Sequence, residues 1–226
     1  MSAPNEPAGE APVMQLIWDL PTRVFHWLLA ACVLGAWLTA ESERSRMVHF
    51  ALGYSAGLLV AWRLVWGFVG SRYARFSDFV RSPYAAVGYL RGYLPQARRA
   101  GQTQTHYLGH NPAGGWAVLA LLAVVALAVA TGYVSYQDDS ADLWSGMHEL
   151  VGNGIIVLVG LHVAAVVVTG VLHRENLVRA MVNGYKRARS GEGIPGTFTL
   201  LGLVLAAAVL AFTWQVYTGV FPALTT

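Results

Sequence analysis

The stretch HELVGNGIIVLVGLH, residues 148–162, sets two histidines fourteen residues apart in a run whose only charge is Glu149. At 3.6 residues per turn, fourteen residues make about four turns, so His148 and His162 leave a helix on nearly the same face. A rise of 1.5 Å per residue separates them by roughly 21 Å along the axis, against a hydrocarbon core about 30 Å thick. Uncharged sequence continues from there to His173. The segment reads as a membrane-spanning helix that offers one imidazole toward each face of a bilayer.

Four more segments match it in length and polarity, giving expected spans at 17–40, 47–70, 113–135, 148–172 and 197–218. Of the 226 residues, 55% are hydrophobic and 12% charged, against about 25% charged in soluble domains. Membrane lipid is therefore the expected solvent of the outer surface. The net charge is +3 and the basic residues sit in short segments between apolar runs, which argues against a nucleic-acid partner. The single cysteine, Cys32, lies inside an apolar run. It permits no internal disulfide and no CxxCH attachment of a c-type haem, and reads as a packing residue. Residues 1–15 carry Glu6 and Glu10 but no Lys or Arg, unlike a cleaved signal peptide, and are expected to form a cytoplasmic tail.

Orientation follows from the connecting segments. Residues 71–112 hold Arg72, Arg75, Arg81, Arg91, Arg98 and Arg99, and residues 173–196 hold Arg174, Arg179, Lys186, Arg187 and Arg189. The opposite loops are 41–46, of mixed charge, and 136–147, with Asp138, Asp139 and Asp142 and no Lys or Arg. The N-terminus is expected in the cytoplasm and the C-terminus on the periplasmic side of a bacterial inner membrane. Within 71–112, Ser82-Pro83 and Asn111-Pro112 read as helix starts. They open a short surface helix and the third span.

His26 falls in the first half of the first span and His49 at the start of the second. With this topology His49 and His148 share the outer depth, and His26 and His162 share the inner one. Two imidazoles from facing helices are what bis-histidine ligation of a haem iron requires. The expected set is therefore His49/His148 for an outer haem and His26/His162 for an inner one. Gly53 and Gly57 follow His49, and Gly152 follows His148, at one- and two-turn spacing; missing side chains there would clear room for a flat ring. Small residues also let membrane helices approach closely. Arg63, inside the second span, and Arg23, three residues before His26, need anionic partners, and haem propionates would serve. Snorkelling to the headgroups, or an Arg23–Asp19 pair, are alternatives. His106 and His110, in HYLGHNP, read as capping or hydrogen-bonding residues, with a proton-relay role open. His173 reads as an interfacial residue at a helix C-terminus.

Several of these pieces resemble the bacterial cytochrome b561 superfamily, in particular the b-type cytochrome subunits of nickel–iron hydrogenases. They are WDLPTRVFHW at 18–27, HFALGYSAG at 49–57, RLVWGFVGSRYARF at 63–76, GHNPAGG at 109–115, HELVGN at 148–153 and GLH at 160–162, together covering about residues 15–188. The resemblance implies an all-α integral membrane fold, a four-helix bundle holding two non-covalent haems b. It implies electron transfer between a partner protein and quinone. Its ligands fall on His26, His49, His148 and His162. The fifth, C-terminal transmembrane helix departs from that core, so the expected division is 1–15, 16–190 and 191–226.

The leading expectation is a di-haem electron-transfer subunit, with the quinone pool on one side. On the other stands a periplasmic-side redox protein, such as a c-type cytochrome or a dehydrogenase or hydrogenase subunit. The acidic loop 138–142 would steer a basic partner. A second reading is a self-contained superoxide:quinone oxidoreductase, whose cationic outer pocket would have to use Arg44 and Arg46. A third is an anchor or a carrier without haem, for which four depth-matched histidines serve no purpose.

Overall fold

A computed structural model describes residues 11–94, 105–137 and 142–219. Strand β1 (Val13–Leu16) leads into α1 (Leu20–Leu38), which a 3₁₀ turn (Glu43–Ser45) joins to α2 (Arg46–Val69). Two short helices, α3 (Phe76–Phe79) and α4 (Pro83–Arg91), precede α5 (Pro112–Gln137) and α6 (Asp142–His173). The chain ends in α7 (Leu177–Asn183), β2 (Tyr185–Ala188) and α8 (Thr199–Tyr217). Five helices are long and apolar enough to cross a membrane: α1, α2 with its preceding turn, α5, α6 and α8. This is a multi-pass membrane protein.

Local chemistry explains where the helices begin. Asp19 caps α1 by accepting from the Thr22 N–H at 2.7 Å, with Pro21 in the first turn. Ser82 caps α4 through the Ala85 N–H at 3.3 Å, ahead of Pro83. Asn111 Oδ1 accepts from the Gly114 N–H at 2.7 Å at the start of α5. Each cap satisfies an N–H that the first helical turn leaves without a partner. Helix α6 begins at Asp142, six residues earlier than expected, so His148 lies within its second turn and not at its end.

Lipid tails are as apolar as leucine, so these helices associate by close packing and hydrogen bonds. Helix α1 packs on α2, α5 runs along both α2 and α6, and α8 lies against α1 and α2. Small residues mark the contacts. A Cβ at Gly57 would meet Val129 of α5 at 3.1 Å, and one at Gly202 would meet Leu20 at 2.7 Å. Ser55 of α2 shares a 2.7 Å hydrogen bond with Thr213 of α8. The fifth spanning helix thus covers the α1–α2 face. Helix α6 is held closely along α5 but not along α1 or α2, and Ile155 is its one buried residue among those described.

Sequence reading did not anticipate the ribbon. β1 and β2 pair antiparallel, with Val13 opposite Ala188 and Leu16 opposite Tyr185. The Ile17 and Trp18 N–H groups donate to the Gly184 carbonyl at 2.8 and 3.0 Å, and the Ile194 N–H to the Leu16 carbonyl at 2.8 Å. The expected tail over 1–15 therefore joins the fold at its last residues; residues 1–10 lie outside the described chain. Gly184 has φ 90°, and a Cβ there would sit 2.7 Å from the Trp18 carbonyl. This end of the bundle is called the ribbon end below, and the opposite one the far end.

Beneath the ribbon, Asp19 is 0% exposed. Besides capping α1, it accepts from Trp66 Nε1 at 3.2–3.3 Å and from the Ser71 hydroxyl. The carboxylate binds the start of α1 to the end of α2 and the turn after it.

Candidate functional site

Helix α6 carries its two histidines to opposite ends of the bundle. At the far end His148 faces His49 of α2, with ring centroids 5.9 Å apart. At the ribbon end His162 faces His26 of α1, with centroids 6.5 Å apart. With metal–imidazole bonds of about 2 Å, two axial rings on one metal sit about 6 Å apart, centroid to centroid. Among the described residues no three His, Cys, Asp or Glu side chains gather as a protein-only metal site. Pairs of opposed imidazoles suit a metal whose other bonds come from a macrocycle. Helix α6 makes little contact with α1 and α2, so each pair joins helices that are not otherwise closely packed.

The far-end histidines are oriented by backbone. His49 Nδ1 lies 2.8 Å from the Ala36 carbonyl oxygen, and His148 Nδ1 lies 2.9 Å from that of Ala128. A carbonyl only accepts, so each Nδ1 carries the proton and a neutral ring presents an unprotonated Nε2 as a ligand. The His148 ring also needs Gly132 of α5, where a Cβ would stand 2.8 Å from Cε1 and 3.0 Å from Nδ1. Gly132→Ala should displace this ring. A variant with this ring displaced is expected to bind less of whatever group the His49–His148 pair holds, read as the cofactor content of the purified protein.

The ribbon-end pair has different surroundings. Six buried polar atoms lack a hydrogen-bond partner among the described residues: Thr22 Oγ1, Arg23 Nε, His26 Nδ1, Trp62 Nε1, Arg63 Nη1 and His110 Nδ1. All belong to the ribbon-end halves of α1 and α2 or to the segment entering α5. An unpaired buried polar group costs about 1–3 kcal/mol, so a cluster of six fits a polar or anionic group bound among them. Arg63 is 2% exposed. Its Nη2 donates to the Ala74 carbonyl at 2.9 Å, and its guanidinium lies 4.9 Å from the Phe76 ring, 5.7 Å from Phe79 and 6.0 Å from Phe25. Gly67 allows this, because a Cβ there would overlap the Phe76 ring. Arg23 donates through Nη1 to the Val182 carbonyl at 2.6 Å, holding α7 against α1.

The glycines divide by neighbour. Added Cβ atoms at Gly53 and Gly152 would meet no atom within 4 Å, whereas Gly57 is a contact point with α5. Gly170 belongs to the turn that ends α6, where the Glu175 N–H donates to its carbonyl at 2.9 Å.

His110 is one residue whose aromatic packing the sequence did not signal. Its ring packs edge-on to Trp18, with centroids 4.9 Å apart, and against Phe79 at 4.7 Å. Burial, followed by the Arg63 charge and the neighbouring histidines, pushes its imidazole down to about 3, so it stays neutral. His106 Nε2 instead meets Glu175 Oε1 at 2.7 Å, and the Lys186 ammonium holds Glu175 Oε2 at 3.0 Å. Burial alone would raise the Glu175 carboxyl, but Lys186 and His106 more than offset it and hold it below the usual carboxylate range. His173 Nε2 lies 2.9 Å from the Tyr93 hydroxyl. Of the acidic loop, Asp138 and Asp139 lie outside the described residues.

Comparison with known proteins gives the family. The family model described as prokaryotic cytochrome b561 matches residues 17–184. The probable Ni/Fe-hydrogenase 1 B-type cytochrome subunit of Escherichia coli (strain K12) is 24% identical, covering 80% of this chain and 94% of its own length. The corresponding probable Ni/Fe-hydrogenase subunit of Azotobacter vinelandii is 26% identical over 75% of this chain and 87% of its own. That of Cupriavidus necator is 23% identical over 79% and 89%. No solved structure matches the chain. Five spanning helices, two opposed histidine pairs and a family match over most of its length lead to one assignment: the chain belongs to the prokaryotic cytochrome b561 family.

Proposed function

We propose that the chain is a membrane electron-transfer subunit with two haems b, one between His49 and His148 and one between His26 and His162. It would carry electrons between a redox protein at one membrane face and the quinone pool. The observation that carries this reading is the pair of opposed imidazoles at each end of α6. Haem b is the cofactor the family implies. The orphaned polar atoms at the ribbon end support a bound carboxylate-bearing group there, with Arg63 and Arg23 as propionate partners.

The ribbon end faces the cytoplasm in this proposal. Its connecting segments carry Arg72, Arg75, Arg81, Arg91, Arg174, Arg179, Lys186, Arg187 and Arg189, which favours the cytoplasmic side. The membrane is then the bacterial inner membrane, with the far-end haem toward the periplasm. The named relatives are hydrogenase subunits, so the favoured partner is a hydrogenase-type protein docking at the far end. A superoxide reaction finds less support. Of the two basic residues available for its outer pocket, Arg46 is already paired with Glu43.

Quinol added to the purified, oxidised protein should reduce haem b on the stopped-flow timescale. Failure of ubiquinol and menaquinol analogues alike to reduce either haem would remove quinone from the proposal.

A further inference from the structure

Helix α4 turns one face to the bundle and leaves the other, apolar one uncovered among the described residues. We propose that α3 and α4 form a binding site for an anionic phospholipid in the leaflet at the ribbon end. Val87, Leu90 and Leu94 meet its acyl chains, and Arg75, Arg81 and Arg91 meet its phosphate. The proposal rests on the multi-pass fold and not on the haem reading.

Helix α4 is fixed at the membrane boundary. Helix α5 has 26 residues, about 39 Å of helix against a hydrocarbon core of roughly 30 Å, so its ends reach the headgroup layers. Near its start the Trp116 indole donates to the Arg81 carbonyl at 3.0 Å, next to the Ser82 cap of α4, and α4 packs along α5. The inward face of α4 holds Ala86, which is buried, and Tyr89. Tyr89 shares a 2.7 Å hydrogen bond with Tyr93, whose hydroxyl lies 2.9 Å from His173 Nε2 at the end of α6. The outward face carries Tyr84, Val87 and Leu90 at three-residue spacing, with Leu94 just beyond the helix, all exposed. Tyr84 is 88% exposed and Leu90 57%. An apolar strip on a helix held at headgroup depth lies against acyl chains.

Charge selects the headgroup. Between the end of α2 and Leu94 the chain holds four arginines, Arg72, Arg75, Arg81 and Arg91, and one acid, Asp78. Arg72 Nε lies 3.9 Å from Asp78 Oδ1. Burial raises the Asp78 carboxyl, against the opposing pull of Arg72, Arg81 and Arg75, so these three cations gather about a single acid. Arg75, Arg81 and Arg91 are exposed and form no salt bridge among the described residues. Unpaired guanidiniums beside an apolar strip complement a phosphodiester that carries acyl chains, and they hold it more strongly than a zwitterionic headgroup. A lipid seated there braces α4 from outside, and through Tyr89 and Tyr93 it steadies the end of α6.

The test uses the purified full chain in mild detergent, with phosphatidylglycerol or phosphatidylcholine added. Native mass spectrometry counts the lipid retained, and thermal melts follow the stabilisation. Phosphatidylglycerol is expected to bind about tenfold more tightly than phosphatidylcholine at low salt, and the preference should shrink as salt is raised. R75Q/R81Q/R91Q should abolish the preference while phosphatidylcholine binding stays the same, and R75K/R81K/R91K should keep it. R179Q/R187Q/R189Q, which removes equal charge at the same end, should leave it intact. V87S/L90S should weaken the binding of both lipids. Equal binding of the two lipids by the unmodified chain would overturn the proposal. So would equal losses in the two glutamine triples, which would mean a general attraction to the basic end. Phosphatidylglycerol binding that is unchanged in V87S/L90S, or matched by glycerol phosphate, would also overturn it and assign the apolar strip to a soluble partner. If R75Q/R81Q/R91Q does not fold, R91Q alone decides, with an expected loss of about twofold in the preference and no loss as the contrary result.

Discussion

His162→Ala is expected to remove one haem and leave the other, the haem b content falling from two per chain to one. His162 faces the His26 imidazole, and the other histidine pair at that end of α6, His173 with His106, does not include it. His26→Ala should therefore lose the same haem, and the double variant should be no worse than either single one, because both remove one site. Combining His162→Ala with His148→Ala should empty the protein of haem. Single-haem proteins from His26→Ala and His49→Ala should differ in their α bands. Identical spectra from these two variants would mean that the pairing is wrong.

Asp19→Ala is expected to be the most destabilising change at a residue outside the haem-ligand set. The carboxylate has three donors, the Thr22 N–H, Trp66 Nε1 and the Ser71 hydroxyl, all in a site with 0% exposure. Alanine strands all three, at about 1–3 kcal/mol each, and removes a helix cap. A loss of about 3 kcal/mol would lower the apparent Tm by roughly 6–12 °C for a chain of this size. Circular dichroism melts of the detergent-solubilised protein would measure it. Asn at position 19 keeps one acceptor and should fall between the two. An unchanged melt for Asp19→Ala would contradict the role of this carboxylate as the tie between α1 and α2.

How much of this was legible depended on whether the signal was local. The five spans were readable because twenty-residue apolar runs are a local property, and the structure moves their ends by only a few residues except at the start of α6. The caps at Ser82 and Asn111 were readable for the same reason. The ribbon was not. VMQL and YKRA are four residues each, and they pair across 168 residues with no periodicity to announce it. Nothing in the sequence sets Gly132 apart from the other small residues of its apolar helix. Its need appears only when the His148 ring of α6 is placed against it. Asp19 reads in the sequence as a partner for Arg23, and its hydrogen bonds from Trp66 and Ser71, about fifty residues away, could not be read there. His110, two residues before α5, has a surface-like sequence context, yet its ring packs against Trp18 and Phe79. The histidine pairs could be read because helical geometry converts spacing into depth, whereas the surroundings that distinguish the two pairs come from other helices.

The most direct test of the two-haem bundle is a pyridine haemochrome assay on the purified protein, paired with a reduced-minus-oxidised spectrum. Two extractable haems b per chain, with a b-type α band in the native protein, are expected. A protein that binds a single haem, or shows no b-type band at all, would contradict it.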